Sequence, residues 1–466
     1  MTADTHEVAV GRLRAAYTAV PPGIPVRLAK HTSNLFRFRD ADPKTPGSPG
    51  SARTPAAPLD VSAFGHVLRV DPVRRTAWAG GMTTYEDLAD ATLRHGLMPK
   101  VVPQLKTITL GGAVTGLGIE STSLRNGLPH ESVTEMEILT GDGRVLRATA
   151  DNEHADLFRG FPNSYGTLGY ALSLTIELEP VRPYVHLRHF AFGDADACME
   201  AIAQVAAEGS YRGHRADFVD GTAFTPGELY LTVGAFSDVA PWRSDYTGQQ
   251  IYYTSIRAAK EDFLAIRDYL WRWDTDWFWC SKAFGVQRPL VRRMWPRRYR
   301  RSDVYRRLVA LDQRYGLTDA LNSGRQRPAR EFVTQDVEIP VEHGADFLRF
   351  FDANVGMRPV WICPLRDAQT WPLYPLKPGE VYVNFGFWGT VPLPPGLRVQ
   401  ADGYYNRLIE DHVAKLDGHK SLYSTAFYPE DEFYRRYNGE AYHALKRAYD
   451  GQGRLLGLYE KCVRGH

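Results

Sequence analysis

Two stretches of this 466-residue chain combine residue types at a spacing that could do chemistry. The first is VVPQLKTITLGGAVTGLGIESTSLRNGLPHESV (101–133), which holds Gly111, Gly112, Gly116, Gly118 and Gly127 between strand-like pieces. Glycines at this density let backbone N–H groups approach a polyanion, since no Cβ blocks the way and positive φ is allowed. No Gly-Lys-Ser/Thr ends the segment, and no single strand–turn–helix carries a GxGxxG, so neither nucleotide fingerprint fits. A set of tight turns is the competing reading. The second stretch is VTQDVEIP (333–340). Period-two alternation puts Thr334, Asp336 and Glu338 on one strand face and Gln335, Val337 and Ile339 on the other. Asp336 in an apolar pocket would have a raised pKa and could serve as a proton donor. A solvated face or an ion pair would use the same residues. Glu120 and His130, close to the glycine segment, are further acid candidates.

These groups need elements to position them. VAVGRLRAAYTAV (8–20) has helical spacing, and DADPKTPGSPGSARTPAAP (40–58), with five prolines, reads as a mobile surface insertion. HVLRVD (66–71) and TAWAGG (76–81) read as strands, and TYEDLADATLRHG (84–96) as a helix closed by glycine. SVTEMEILTGDGRVLRAT (132–149) reads as strand–turn–strand. YALSLTIELEP (170–180) alternates and stops at proline. Beyond Pro183 come strands at HLRHFAF (186–192), ELYLTVGAF (228–236), REFVTQDVEIPV (330–341), RPVWICPLR (358–366) and EVYVNFGFWG (380–389). ADFLRFFDANV (345–355) and a tail around YPEDEFYRRYNGEAYHALKRAYDG (428–451) read as helical. The pattern predicts an α+β protein.

Composition bounds the partners. With 56 Lys+Arg against 54 Asp+Glu the net charge is 56 − 54 = +2, and 44% of residues are hydrophobic, so the chain is globular and not a general nucleic-acid binder. Cys198, Cys280, Cys363 and Cys462 lack CxxC spacing and read as reduced thiols of a cytoplasmic protein, with no metal site. The first ten residues lack an apolar core, and no run could span a bilayer. The average conceals a block at 271–307. It contains Trp271, Trp273, Trp277, Trp279 and Trp295 with Arg292, Arg293, Arg297, Arg298, Arg300, Arg301, Arg306 and Arg307. Tryptophan and arginine together suit an anionic lipid surface. A buried aromatic cluster flanked by solvated arginines is the alternative.

The order of three pieces says more than any one motif. KHTSNLF (30–36), the double-glycine segment and NSYGTLGYALSLTIEL (163–178) together resemble the PCMH-type FAD-binding domain of the vanillyl-alcohol oxidase flavoprotein superfamily, over residues 20–180. TGLGIESTSLRNGL, VWICP, Gln335-Asp336 and LYSTAFYPEDEFYRRYNGEAYH resemble the Δ24-sterol reductase branch. Within it the chain is similar to bacterial reductases that turn a 10-methylene fatty acyl chain into its 10-methyl form in the tuberculostearic acid pathway.

The resemblance implies a two-subdomain FAD-binding domain at 1–183, an α+β cap with an antiparallel sheet at 184–425, and a helical segment at 426–466 returning to the first domain. It places Lys30, His31, Thr32, Ser33 and Asn34 at the FAD pyrophosphate. Gln104, Thr109, Gly111, Gly112, Gly116, Gly118 and Ile119 would follow along the phosphates and isoalloxazine, Ser121 and Ser123 on the same wall, and Gly169 and Ala171 by the adenine half. His31 lacks a Gly-Gly-His setting, which points to non-covalent FAD. Tyr423 would contact the flavin ring, and Cys363 would sit in the pocket as an inert thiol or a reactive one. NADPH is the implied reductant, binding transiently because no Rossmann-type site is visible. A phospholipid acyl chain is the implied substrate, a SAM-dependent methyltransferase the implied partner, and the inner face of the cell membrane the implied location. Reduction of a sterol side chain, oxidation of an alcohol or sugar-lipid, and a non-catalytic lipid-holding role are the alternatives.

Overall fold

The computed structural model describes residues 3–30, 56–315, 329–397 and 403–464. Alternating apolar residues between Val67 and Pro180 build the first sheet. Its neighbouring strands are Val67–Asp71, Thr76–Gly80, Gly169–Pro180, Val133–Thr140 and Val145–Ala148, all antiparallel, with Leu97–Pro99 against the end of Gly169–Pro180. Leu172, Leu174, Ile176 and Leu178 are buried at every second position of the central strand, as its pattern requires. Helix Tyr85–Leu93 starts where Thr84 accepts the Asp87 N–H. The opening helix runs Ala3–Ala19, five residues earlier than its apolar spacing indicates, and packs Leu13 and Tyr17 against Leu139 and Leu172. The expected insertion lies outside the described residues as far as 55. Its last residues belong to the strand Ala57–Asp60, which pairs in parallel with Val26–Ala29.

After Pro183 the chain enters an eight-stranded antiparallel sheet. Its order is Glu261–Ala265, Tyr184–Phe192, Glu228–Ser237, Phe218–Thr225, Val360–Leu365, Tyr382–Pro392, Arg330–Pro340 and His419–Lys420. One face carries Val333, Val337, Ile339, Ile362, Phe385 and Phe387, packed in one core with residues of helices Ala195–Glu208, Gly344–Asn354 and Tyr404–Lys415. Alternation turns the residues between them, Asp336, Trp361 and Trp388, to the opposite face, toward the first sheet. The final helices, Glu430–Arg436, Gly439–Tyr449 and Leu458–Cys462, return to the first half. There Lys446 donates to the Thr167 carbonyl and Lys461 to that of Tyr165. The tail expected as one helical stretch is interrupted at Asn438, whose φ is 49°.

Four of the five tryptophans of 271–307 are interior residues, and Trp295 is half-buried. Trp271, Trp273, Trp277, Phe278 and Trp279 are all buried, so they do not form the lipid-facing surface their composition suggested. Arg292 and Arg300 are buried too. Among the described residues no helix is long and apolar enough to cross a membrane, and no cluster of metal-ligating side chains occurs.

Candidate active site

A cleft between the two sheets gathers most of the residues the sequence singled out. One wall is the glycine segment with the start of the central strand. Lys30, Gln104, Thr109, Gly111, Gly112, Gly116, Gly118, Ile119, Gly169 and Ala171 all line it. The glycines work differently from the expectation: of the five in this segment only Gly127 has a positive φ. At Gly111 a Cβ would fall 2.8 Å from the Gly81 carbonyl oxygen, and at Gly81 it would fall 2.1 Å from that of Ala171. These residues are small so that three stretches of backbone can pack into one thin wall.

Strain marks the same place. Leu117, Tyr165, Trp277 and Phe278 have φ between 46° and 61°, and all four line the cleft. For such side chains this region of backbone space is costly, and outliers of this kind collect at functional sites.

The far end is apolar. The Phe278 ring lies 4.2 Å from Trp388 and 5.5 Å from Trp361, centroid to centroid. Into this aromatic end projects Asp336. The Asn384 amide donates to its Oδ1 at 3.4 Å, and Tyr423 hydrogen-bonds the same carboxyl. Tyr423 in turn accepts from the Trp388 indole at 2.8 Å. Among the described residues Asp336 has no ion-pair partner, and desolvation pushes its carboxyl up to about 7. Glu338, two residues on, is fully buried and accepts from Tyr374 and Ser421, and burial pushes it up to about 8.

Gly386, directly across from Asp336, makes room for the carboxyl. A Cβ there would lie 2.4 Å from Asp336 Oδ1 and 2.7 Å from the Trp388 ring. Gly386→Ala should therefore cost about 1–3 kcal/mol through overpacking. It should also lower turnover roughly tenfold by shifting the carboxyl. Thermal melts and steady-state rates on the same preparation check both.

Five expected site residues do not reach the cleft. Ser121 donates to Glu120 and shares a hydrogen bond with Tyr269. Ser123 accepts the Glu120 N–H at 3.0 Å. Glu120 points away, toward the Arg272 guanidinium at 3.4 Å, with burial holding its carboxyl above the usual range. Cys363 is buried on the same face as Trp361, two residues further along, and burial raises its thiol, so it is no nucleophile. His130 packs edge-on to Trp371, and burial lowers it to about 3, so it holds no proton to give at neutral pH. His31, Thr32, Ser33 and Asn34 lie outside the described residues.

Comparison with known proteins bears on what the cleft holds. Residues 26–149, which build the glycine wall and part of the first sheet, match the FAD binding domain family. The chain carries an FAD-binding domain. It is also similar to the Δ24-sterol reductases of Arabidopsis thaliana (24% identical over 365 residues), Mus musculus (26% over 349) and Homo sapiens (25% over 343). Each alignment covers 69% of this chain, and the chain spans about three-fifths of these relatives, 62%, 61% and 61% of their length.

The cleft of the FAD-binding domain fits the cofactor. Among the described residues Gln104 Nε2, buried in its wall, has no hydrogen-bond partner, a donor lacking the acceptor that a flavin carbonyl or phosphate oxygen offers. Arg27, Lys30 and Lys461 line the same cleft and suit a pyrophosphate. The sequence did not point to Lys461, Trp277, Phe278, Trp361 or Trp388 as members of the site. They arrive from the C-terminal helix, the cap loop and two cap strands, and no local spacing signals such convergence.

Proposed function

We propose that the protein is an FAD-dependent, NADPH-driven reductase of an isolated carbon–carbon double bond in a lipid. The observation that carries this reading is Asp336: a carboxyl pushed up to about 7, open to an aromatic-walled pocket, in the cleft of an FAD-binding domain. Such an alkene has no electron-withdrawing neighbour, so a hydride alone cannot add to it. Asp336 delivers a proton to the terminal carbon, leaving positive charge on the more substituted carbon. Trp361, Trp388 and Phe278 surround that position with π faces, which favour a cation and exclude water. FAD held along Lys30, Gln104 and Lys461 would, when reduced, be the source of hydride for this addition. Asn384 and Tyr423 hold the carboxyl in place.

The substrate proposed first is the 10-methylene fatty acyl chain of a phospholipid. The similarity to Δ24-sterol reductases favours a second reading, a sterol side-chain alkene. Both present a branched alkene to the same acid. Purified protein loaded with FAD and mixed anaerobically with NADPH should lose its yellow colour. Adding methylene-acyl phospholipid should restore the colour and yield a product two mass units heavier. Recovery with a Δ24-sterol alone would move the substrate to the second reading. Failure of both alkenes on FAD-loaded protein would overturn the reductase reading, and oxygen uptake with an alcohol would replace it with an oxidase.

A further inference from the structure

The loop that supplies the aromatic end of the cleft continues into a surface of different character. After Cys280–Phe284 the chain forms a short helix, Pro289–Met294, and its residues divide sharply. Arg292 points inward, bonded twice to Asp276 at 2.7 and 3.0 Å and to the carbonyls of Gly248, Tyr246 and Gln250. Arg300 does the same with the carbonyls of Thr247, Gly248 and Trp295. These two buried guanidiniums fix the helix to the body of the cap.

Leu290 and Met294, one helical turn apart, point outward and are 78% and 83% exposed. Two large apolar side chains held rigidly in solvent at adjacent positions are an unusual expense for a protein surface. Flanking them in sequence are Arg288, Arg293 and Arg298, all exposed and without a carboxylate partner among the described residues, and Arg297, whose Asp245 partner is itself half exposed. The link to the cleft is direct. Gln287 donates to the Trp279 carbonyl, and the Trp279 ring lies 5.4 Å from Trp388 in the cleft wall.

We infer that Leu290 and Met294 are a membrane-inserting knuckle, and that Arg288, Arg293, Arg297 and Arg298 seat it on the headgroups of an anionic phospholipid bilayer. Apolar tips flanked by exposed arginines match a surface that is negative outside and apolar beneath. A duplex nucleic acid would use the arginines but leave the two tips unburied. This deepens the lipid-substrate reading and rests on it for its purpose, not for its geometry: the knuckle would hold the cleft beside the bilayer that stores the substrate.

Flotation of the full-length protein with vesicles tests the inference without any turnover. Wild type should float with phosphatidylcholine–phosphatidylglycerol vesicles, far less with phosphatidylcholine alone, and less again as salt rises. Leu290→Asp with Met294→Asp should lower partitioning at least tenfold. Arg293→Glu with Arg298→Glu should also lower it, by roughly fivefold or more for each basic side chain removed. Val73→Asp, at an exposed position on the FAD half, should change nothing. An unaltered flavin spectrum shows that each variant is folded. All variants should reduce detergent-dispersed substrate at the wild-type rate. Loss of vesicle binding with that rate intact supports docking, whereas no turnover by any protein, wild type included, indicts the reductase reading instead. The inference is overturned if wild type ignores anionic vesicles, if the aspartate pair floats unchanged, or if the protein binds duplex DNA equally well with and without the aspartate pair.

Discussion

Asp336→Asn should reduce turnover of the lipid alkene by about 10²–10⁴-fold while leaving FAD binding and the visible spectrum intact. An amide fills the same space, still accepts from Asn384, and has no acidic proton to deliver. Asp336→Glu should recover part of the rate. The pH profile carries a sharper signature. The acid must be protonated in the free enzyme, so kcat/KM should fall as pH rises through about 7, where desolvation has moved the carboxyl. The hydrogen bond from Tyr423 pulls in the other direction, favouring the ionised form. Tyr423→Phe should therefore move the falling limb to higher pH, even if it also slows the reaction. A structural role for Asp336 would shift neither limb. Full turnover by Asp336→Asn would remove the residue from the chemistry.

How far the sequence reaches depends on whether a signal is local. Strand Arg330–Pro340 was readable because its inward and outward residues alternate, and that alternation alone places Asp336 opposite Val337 and Ile339. The glycine segment was readable as one wall of a site, but its mechanism was not. The Cβ space at Gly111 is taken by Gly81, thirty residues earlier, so the requirement for glycine is tertiary. Ser121 and Ser123 looked like an extension of that wall because they follow it directly. The turn after Ile119 redirects both inward, onto Glu120. Helix Ala195–Glu208 was missed although its signals were present: Asp194 caps its first turn and Gly209 takes the left-handed position at its end. The tryptophan–arginine block misled through composition. A Trp-rich run says nothing about which side faces out. Here the partners that decide it, Asp276 for Arg292 and Asp220 for Arg272 and Trp273, act at separations of 16, 52 and 53 residues. The positive-φ conformations of Trp277 and Phe278, which aim their rings into the cleft, have no sequence signature at all.

Arg272 is where loss of a single side chain should cost the fold most. It is fully buried between two carboxylates, Asp220 Oδ2 at 2.7 Å and Glu120 Oε1 at 3.4 Å, with its guanidinium 3.9 Å from the centre of the Tyr269 ring. The triad joins the loop after the glycine wall, strand Phe218–Thr225 of the cap and the Trp271–Trp279 run that supplies the aromatic end of the cleft. A buried ion cluster contributes little over an apolar one of the same shape, but removing one partner strands the others in a medium that cannot solvate them. Arg272→Met should therefore destabilise by about 3–5 kcal/mol, lowering the melting point by roughly 3–5 °C. The sign of its pH dependence follows from the charges left behind. Protonation neutralises the stranded carboxylates, so the deficit should be smallest near pH 5 and grow toward pH 8, measured as the wild-type-minus-variant difference in melting temperature. Adding Asp220→Asn and Glu120→Gln to Arg272→Met should recover most of the loss and flatten that dependence. A deficit that is the same at both pH values would mean that Arg272 acts through packing on Tyr269 and Tyr252, and not through its charge.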